Sequence, residues 1–213
     1  MRNASDELLL TYAAGRMSPA PALVLASHLE MSGASHRRLE VFESLGGALL
    51  EEQPMVPLAP DLFERTLASL DAPEPMRPTA HYDHSQMNFG VAIPSALAQR
   101  KIGKWRLIAP GMRFARVEVP EDPQFKVMLL RVDPGKALPM HGHTGCELTL
   151  ILKGAYRDEG GRYGPGDLDE ESEDTEHQPI VEPGGECICM AAIDGRMKPH
   201  GWVARILQPL FGF

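Results

Sequence analysis

At 213 residues, 43% hydrophobic and 23% charged, the chain is long enough to bury a real core and has a soluble globular composition. A formal charge of −8 argues against a surface built to neutralise nucleic-acid phosphates, so no direct nucleic-acid binding is expected, and a basic partner would be complemented instead. There is no run of about 18 apolar residues to cross a membrane, the three cysteines Cys146, Cys187 and Cys189 make no even disulfide framework, and the opening MRNASDELLLTYAAG has no signal-peptide core, so a cytoplasmic location is expected.

The first third of the chain has helical periodicity. Ser5 or Asp6 can cap a first helix, DELLLTYAA, and Gly15 suits the left-handed position after it. Ser18-Pro19 opens a second helix through PAPALVLASHLEM, with proline in the favoured first turn. A third, from about Ala34 to Glu52, repeats Leu39, Phe42, Leu45, Leu49 and Leu50 at helical spacing; Gly46-Gly47 within it is tolerable if a neighbour packs closely there. A short fourth helix, PDLFERTLASL, ends before Asp71. These helices form a small domain over residues 1–72, near the lower size limit for independent stability. Residues 73–88 are rich in Pro and polar side chains and predict a linker that lets the two halves move independently.

From 89 to 213 the pattern becomes β. WRLIA, MRFARVEV, FKVMLLRV, ELTLILKG, ECICMAAI and WVARILQPL are short segments of apolar alternation or short apolar runs, separated by Gly, Pro and Asp. Their spacing predicts a sandwich or closed barrel, a class that includes jelly rolls and cupins. The fold class is thus a two-domain α + β chain.

The densest chemical signal is GKALPMHGHTGCELTLILKG. His141 and His143 lie two apart, so on a strand both leave one face, and Glu147 shares that parity. Two imidazoles and a carboxylate suit a transition metal, and His177, in EDTEHQPIV, is the natural fourth donor. Zinc is the expected divalent ion, and iron, manganese and nickel also suit the set. The acidic run Asp167–Glu176 is expected to be a solvated loop. Cys187 and Cys189 share one strand face; they are expected to pack as small hydrophobes, with a redox-sensitive pair as the alternative. Cys146 should point away from the metal.

This stretch resembles the first cupin motif, G-x5-H-x-H-x3-E-x6-G, at every fixed position: Gly135, His141, His143, Glu147 and Gly154. The second motif is stretched, because His177 follows YGPGD later than cupins usually place it. In the helical part, His28, Ser32 and Ser35 fall at i, i+4 and i+7, which resembles the H-x3-C-x2-C motif of zinc-binding anti-sigma domains with serine at both cysteine positions. Asn3 or a neighbour stands where a further histidine is usual. A hydroxyl does not replace a thiolate, so no zinc is expected at His28, Ser32 and Ser35.

Helices that include SDELLLTYAAG and ALVLASHLEMSGAS, followed by a cupin ending in WVARILQPLFGF, resemble the ChrR family across most of the chain. The resemblance implies an anti-sigma factor whose helices sequester an extracytoplasmic-function sigma factor, with a metal-binding cupin that senses oxidative signals of the singlet-oxygen type. It also allows a cupin homodimer. The competing reading from the residues is a cupin metalloenzyme, dioxygenase-like, with a three-histidine, one-glutamate centre.

Overall fold

The computed structural model describes residues 2–70, 82–173, 175–195 and 197–199; the expected strand WVARILQPL and most of the 73–88 segment lie outside these. Four helices come first, α1 (Asp6–Ala13), α2 (Pro19–Met31), α3 (Gly33–Glu51) and α4 (Leu62–Leu70), followed later by a single turn, α5 (Ser95–Ala98). Ser5 accepts from the Leu8 amide at 3.3 Å, and Gly15 takes φ +64°, so both ends of α1 follow from local chemistry. At α2 the cap differs from expectation. Ser18 occupies the cap position without a side-chain bond, and the buried carboxylate of Asp122 accepts from the Ala20 amide at 3.0 Å. Glu30, at the other end of α2, accepts from the Ser95 and Ala96 amides and caps α5 in return. The caps therefore cross between the helices and the β-region.

The strands are β1 (Arg106–Ala109), β2 (Met112–Val117), β3 (Phe125–Val132), β4 (His141–His143), β5 (Glu147–Lys153), β6 (Tyr156–Asp158), β7 (Gly161–Tyr163), β8 (Leu168–Glu171), β9 (Glu176–His177), β10 (Ile180–Val181), β11 (Cys187–Asp194) and β12 (Met197–Pro199). They form a six-stranded sheet, β1-β2-β3-β11-β5-β8, and two three-stranded sheets, β10-β6-β7 and β12-β4-β9, with antiparallel pairing in each. Gly135 and Gly154, the outer glycines of the cupin-like motif, both take positive φ, +72° and +73°. At Gly154 a Cβ would overlap the Glu186 carbonyl, so only glycine fits.

Strand β5 is buried at six consecutive positions and β11 at seven. Such runs mean that both faces of the sheet are covered. One face, with Leu129, Leu148, Leu150, Ile188 and Met190, packs in a single cluster with Leu9, Leu23, Val24 and Leu25 of the helices. The other, with Ile151, Cys187 and Cys189, faces the interior with Tyr156, Tyr163 and Val181. Met87 and Phe89 join the helix-side cluster, and the Trp105 indole donates to the Met87 carbonyl at 2.9 Å. Helices and sheet thus share one cluster of buried side chains.

The helices are unevenly buried. In α3 only Ser35 and Leu39 are buried, and nothing lies near Gly46 or Gly47 among the described residues, so the close neighbour expected there is not supplied by this chain. Leu45, Leu49, Leu50, Phe63, Leu67 and Leu70 are all exposed along α3 and α4.

Candidate metal centre and the buried polar cluster

Strand pairing brings the expected ligands together. His141 on β4 pairs with His177 on β9, and Glu147 opens β5 opposite Glu171 of β8. His141, Glu147 and His177 are all buried, with ligand atoms within 4.8 Å of one another. His143 stands two residues after His141 on the same strand; its side chain lies outside the described residues.

The ring nitrogens identify what this arrangement can bind. His141 Nδ1 lies 2.8 Å from the Pro139 carbonyl and must donate, since a carbonyl only accepts. His177 Nδ1 lies 3.2 Å from Asp158 Oδ2, which fixes the same tautomer. The two Nε2 atoms then face each other at 3.1 Å, near enough to serve one bound ion. An outward Nδ1–H bond to a carbonyl or carboxylate is the usual support of a metal-bound imidazole. Glu147 accepts from Thr149 Oγ1 at 2.7 Å, which orients the carboxylate. Like charges directly opposite on paired strands, as at Glu147 and Glu171, repel unless a cation lies between. The residues present therefore fit a divalent metal.

A set of groups not singled out in the sequence surrounds these ligands. Asp158, Asp169 and Glu171 have ligand atoms within 4.8 Å of one another and of His177. The acidic run is thus partly strand: Asp169 and Glu171 alternate on β8 and face inward, and Asp167 and Asp169 are buried. Their period-two spacing was the available signal. Burial raises Asp169 to about 7, and Tyr156 OH donates to it at 2.5 Å. Burial likewise pushes Cys187 up to about 12 and raises Cys189, so both are protonated packing groups rather than a reactive pair. Cys146 is exposed.

The second constellation, His28, Ser32 and Ser35, is buried. His28 Nδ1 donates to the Gly166 carbonyl at 2.9 Å, so its Nε2 accepts from Ser35 Oγ at 2.8 Å. Ser35 Oγ also accepts from the Ala4 amide, and Ser32 Oγ donates to Asn3 Oδ1, both at 3.1 Å. Both ring nitrogens and both hydroxyls are engaged with one another or with the main chain. This set does not fit a metal; it closes the helix junction by hydrogen bonds.

The chain matches the ChrR cupin-like domain over residues 95–194. It is 35% identical to the anti-sigma-E factor ChrR of Cereibacter sphaeroides, covering 97% of this chain and 96% of that protein. It also superimposes on a crystal structure of Rhodobacter sphaeroides SigE in complex with the anti-sigma ChrR, with a TM-score of 0.73 and 34% identity over 91% of this chain and 99% of that one. The helices followed by a cupin, and the identity across nearly the whole length, place the chain in the ChrR family of anti-sigma factors, regulators rather than enzymes.

Proposed function

We propose that this chain holds an extracytoplasmic-function sigma factor of the SigE type on the exposed apolar surface of α3 and α4, and that its cupin carries one divalent metal through which oxidative stress is sensed. The observation that carries the partner reading is the similarity to a ChrR seen in complex with SigE, together with a row of exposed apolar side chains on this chain. Phe63, Leu67 and Leu70 lie at i, i+4 and i+7 on α4, an apolar stripe that a globular chain normally buries. An acidic inhibitor also suits a partner that binds DNA. Inhibition is then occlusion of surfaces that the sigma factor needs for polymerase, and requires no bond chemistry.

The metal would be held by His141, His143, Glu147 and His177. It would cross-link β4, β5 and β9 and supply a charge that the surrounding carboxylates offset. Zinc suits the mixed nitrogen and oxygen donors. No helix among the described residues is long and apolar enough to cross a membrane, which accords with a cytoplasmic regulator. The test is transcription from a promoter dependent on the sigma factor, with polymerase, sigma factor and the full chain purified. Stoichiometric repression supports the reading; undiminished transcription at excess chain contradicts it. Elemental analysis of the same preparation should give about one metal ion per chain.

A further inference from the structure

Residues Arg2 to Ser5, ahead of α1, run along β8. The Arg2 amide donates to Asp167 Oδ1 at 2.5 Å, the Leu168 amide donates to the Arg2 carbonyl at 3.2 Å, and the Ser5 amide donates to Glu170 Oε1 at 2.8 Å. On its other side the same strap is bonded to the helices, through Asn3 to Ser32 and through Ala4 to Ser35. It is therefore stitched to the cupin and to the buried polar cluster at once.

The Arg2 side chain extends this link toward the metal centre. Its guanidinium donates to Tyr163 OH at 3.1 Å and to the Gly160 carbonyl, and lies 4.3 Å from the centroid of the Tyr163 ring. Gly161 takes φ +124°, a conformation that favours glycine, and the Arg2 guanidinium lies against it. The Gly160 and Gly161 amides donate to Asp158 Oδ1 at 2.9 and 3.1 Å, and the other oxygen of Asp158 accepts from His177. Hydrogen bonds thus run from the His177 imidazole through Asp158 and the β6–β7 turn to Arg2, and the chain itself carries the link on to Asn3 and Ala4, which bond Ser32 and Ser35 at the start of α3. Asp169, whose carboxylate lies within 4.8 Å of a His177 ring nitrogen, also lines a cleft of about 400 Å³ with Arg2, Asn3 and Glu170.

We infer that Arg2 is a positioning residue that couples occupancy of the cupin metal site to the order of the helical region. The inference rests on the metal reading of His141, His143, Glu147 and His177. With metal bound, His177 holds Asp158 and the turn, and the turn holds Arg2 and the strap. Loss of the metal releases the turn and loosens the strap's hold on Ser32 and Ser35. Such coupling is reciprocal: whatever orders the helices also tightens the metal.

Hydrogen exchange on the full-length chain, metal-loaded and chelator-stripped, with bound metal assayed in each sample, tests this. In the wild type, stripping should speed exchange by about fivefold or more, the low end of ordinary coupling, both in the 156–163 hairpin and at the starts of α1 and α3. In Arg2→Ala, which removes a solvent-edge side chain, the hairpin should still respond and the helices should exchange equally fast with and without metal. Tyr163→Phe, which deletes the hydroxyl that accepts from Arg2 and bonds Asp169 and keeps the ring, should weaken the helical response in the same direction. Helices indifferent to metal in the wild type, or a full helical response in both variants, overturn the inference. A chain that binds no metal sinks the metal reading and this inference together, and the metal assay separates that outcome from failure of the coupling alone.

Discussion

His28 and His141 are both buried imidazoles whose Nδ1 donates to a main-chain carbonyl, and they differ in what the second nitrogen meets. At His28 it meets a serine hydroxyl that can donate. At His141 it meets a second ring nitrogen, His177 Nε2. The first ring sits in a closed hydrogen-bond set, and the second converges with Glu147 and His177, their ligand atoms within 4.8 Å of one another, as metal donors do. His141→Ala or Glu147→Ala should therefore lose most of the bound metal, whereas Ser32→Ala and Ser35→Ala should retain it; equal metal in all four by elemental analysis would contradict the assignment. Ser35→Ala should instead lower stability by about 1–3 kcal/mol in denaturant titration, because it leaves His28 Nε2 and the Ala4 amide without their buried partner. Burial lowers the pKa of His28 below its ordinary 6.5. The unfolded chain then binds a proton that the folded chain refuses, so the His28 contribution is complete above pH 6.5 and declines as pH falls from there toward the folded pKa. Melting temperatures of wild type and His28→Gln from pH 7.5 to 5 check this; the wild type should lose more stability on acidification than the variant.

At the scale of elements, long periodic segments could be read from sequence and short ones could not. α1 to α4 and β1, β2, β3, β5 and β11 fall within a few residues of the expected spans, because caps, helical spacing and apolar runs mark them locally. The two- and three-residue strands β9 and β4 are too short to show an apolar pattern, and β8 carries its alternation in acidic side chains; tertiary pairing defines all three. The ligand set had a readable spacing at His141 and Glu147, but Asp158 reaches His177 only through pairing of distant strands. The cap of α2 was missed for the same reason, since Asp122 lies 102 residues from the Ala20 amide it binds. Asp122→Ala should cost about 1 kcal/mol of stability, measured by denaturant titration, although Ser18 and Pro19 remain. In α4 the exposed stripe makes the opposite prediction. Leu67→Ala should change stability by less than about 0.5 kcal/mol, yet weaken sigma-factor binding if α4 is the docking face.

For the whole molecule, α2 covers the six-stranded sheet, and α1 and α3 pack around it. Leu25 shares one cluster with Leu129, Leu148 and Met190, and Leu39 and Phe42 of α3 join the same cluster, so the helix that carries part of the proposed docking face rests on a core that the cupin completes. Leu25→Ala should cost about 2–5 kcal/mol and lower helical and β signals in a single transition; separate transitions would show two independent bodies. This arrangement explains how a metal centre in the barrel and an apolar surface on α3 and α4 can belong to one regulator. The decisive titration is of the full-length chain with a SigE-type sigma factor from the same cell, beside a Leu45→Asp/Phe63→Asp variant of unchanged melting temperature. A one-to-one complex for the wild type, weakened by about thirtyfold or more in the variant as expected for buried anchor residues, is the predicted result. No complex, or equal affinity for both proteins, would contradict it.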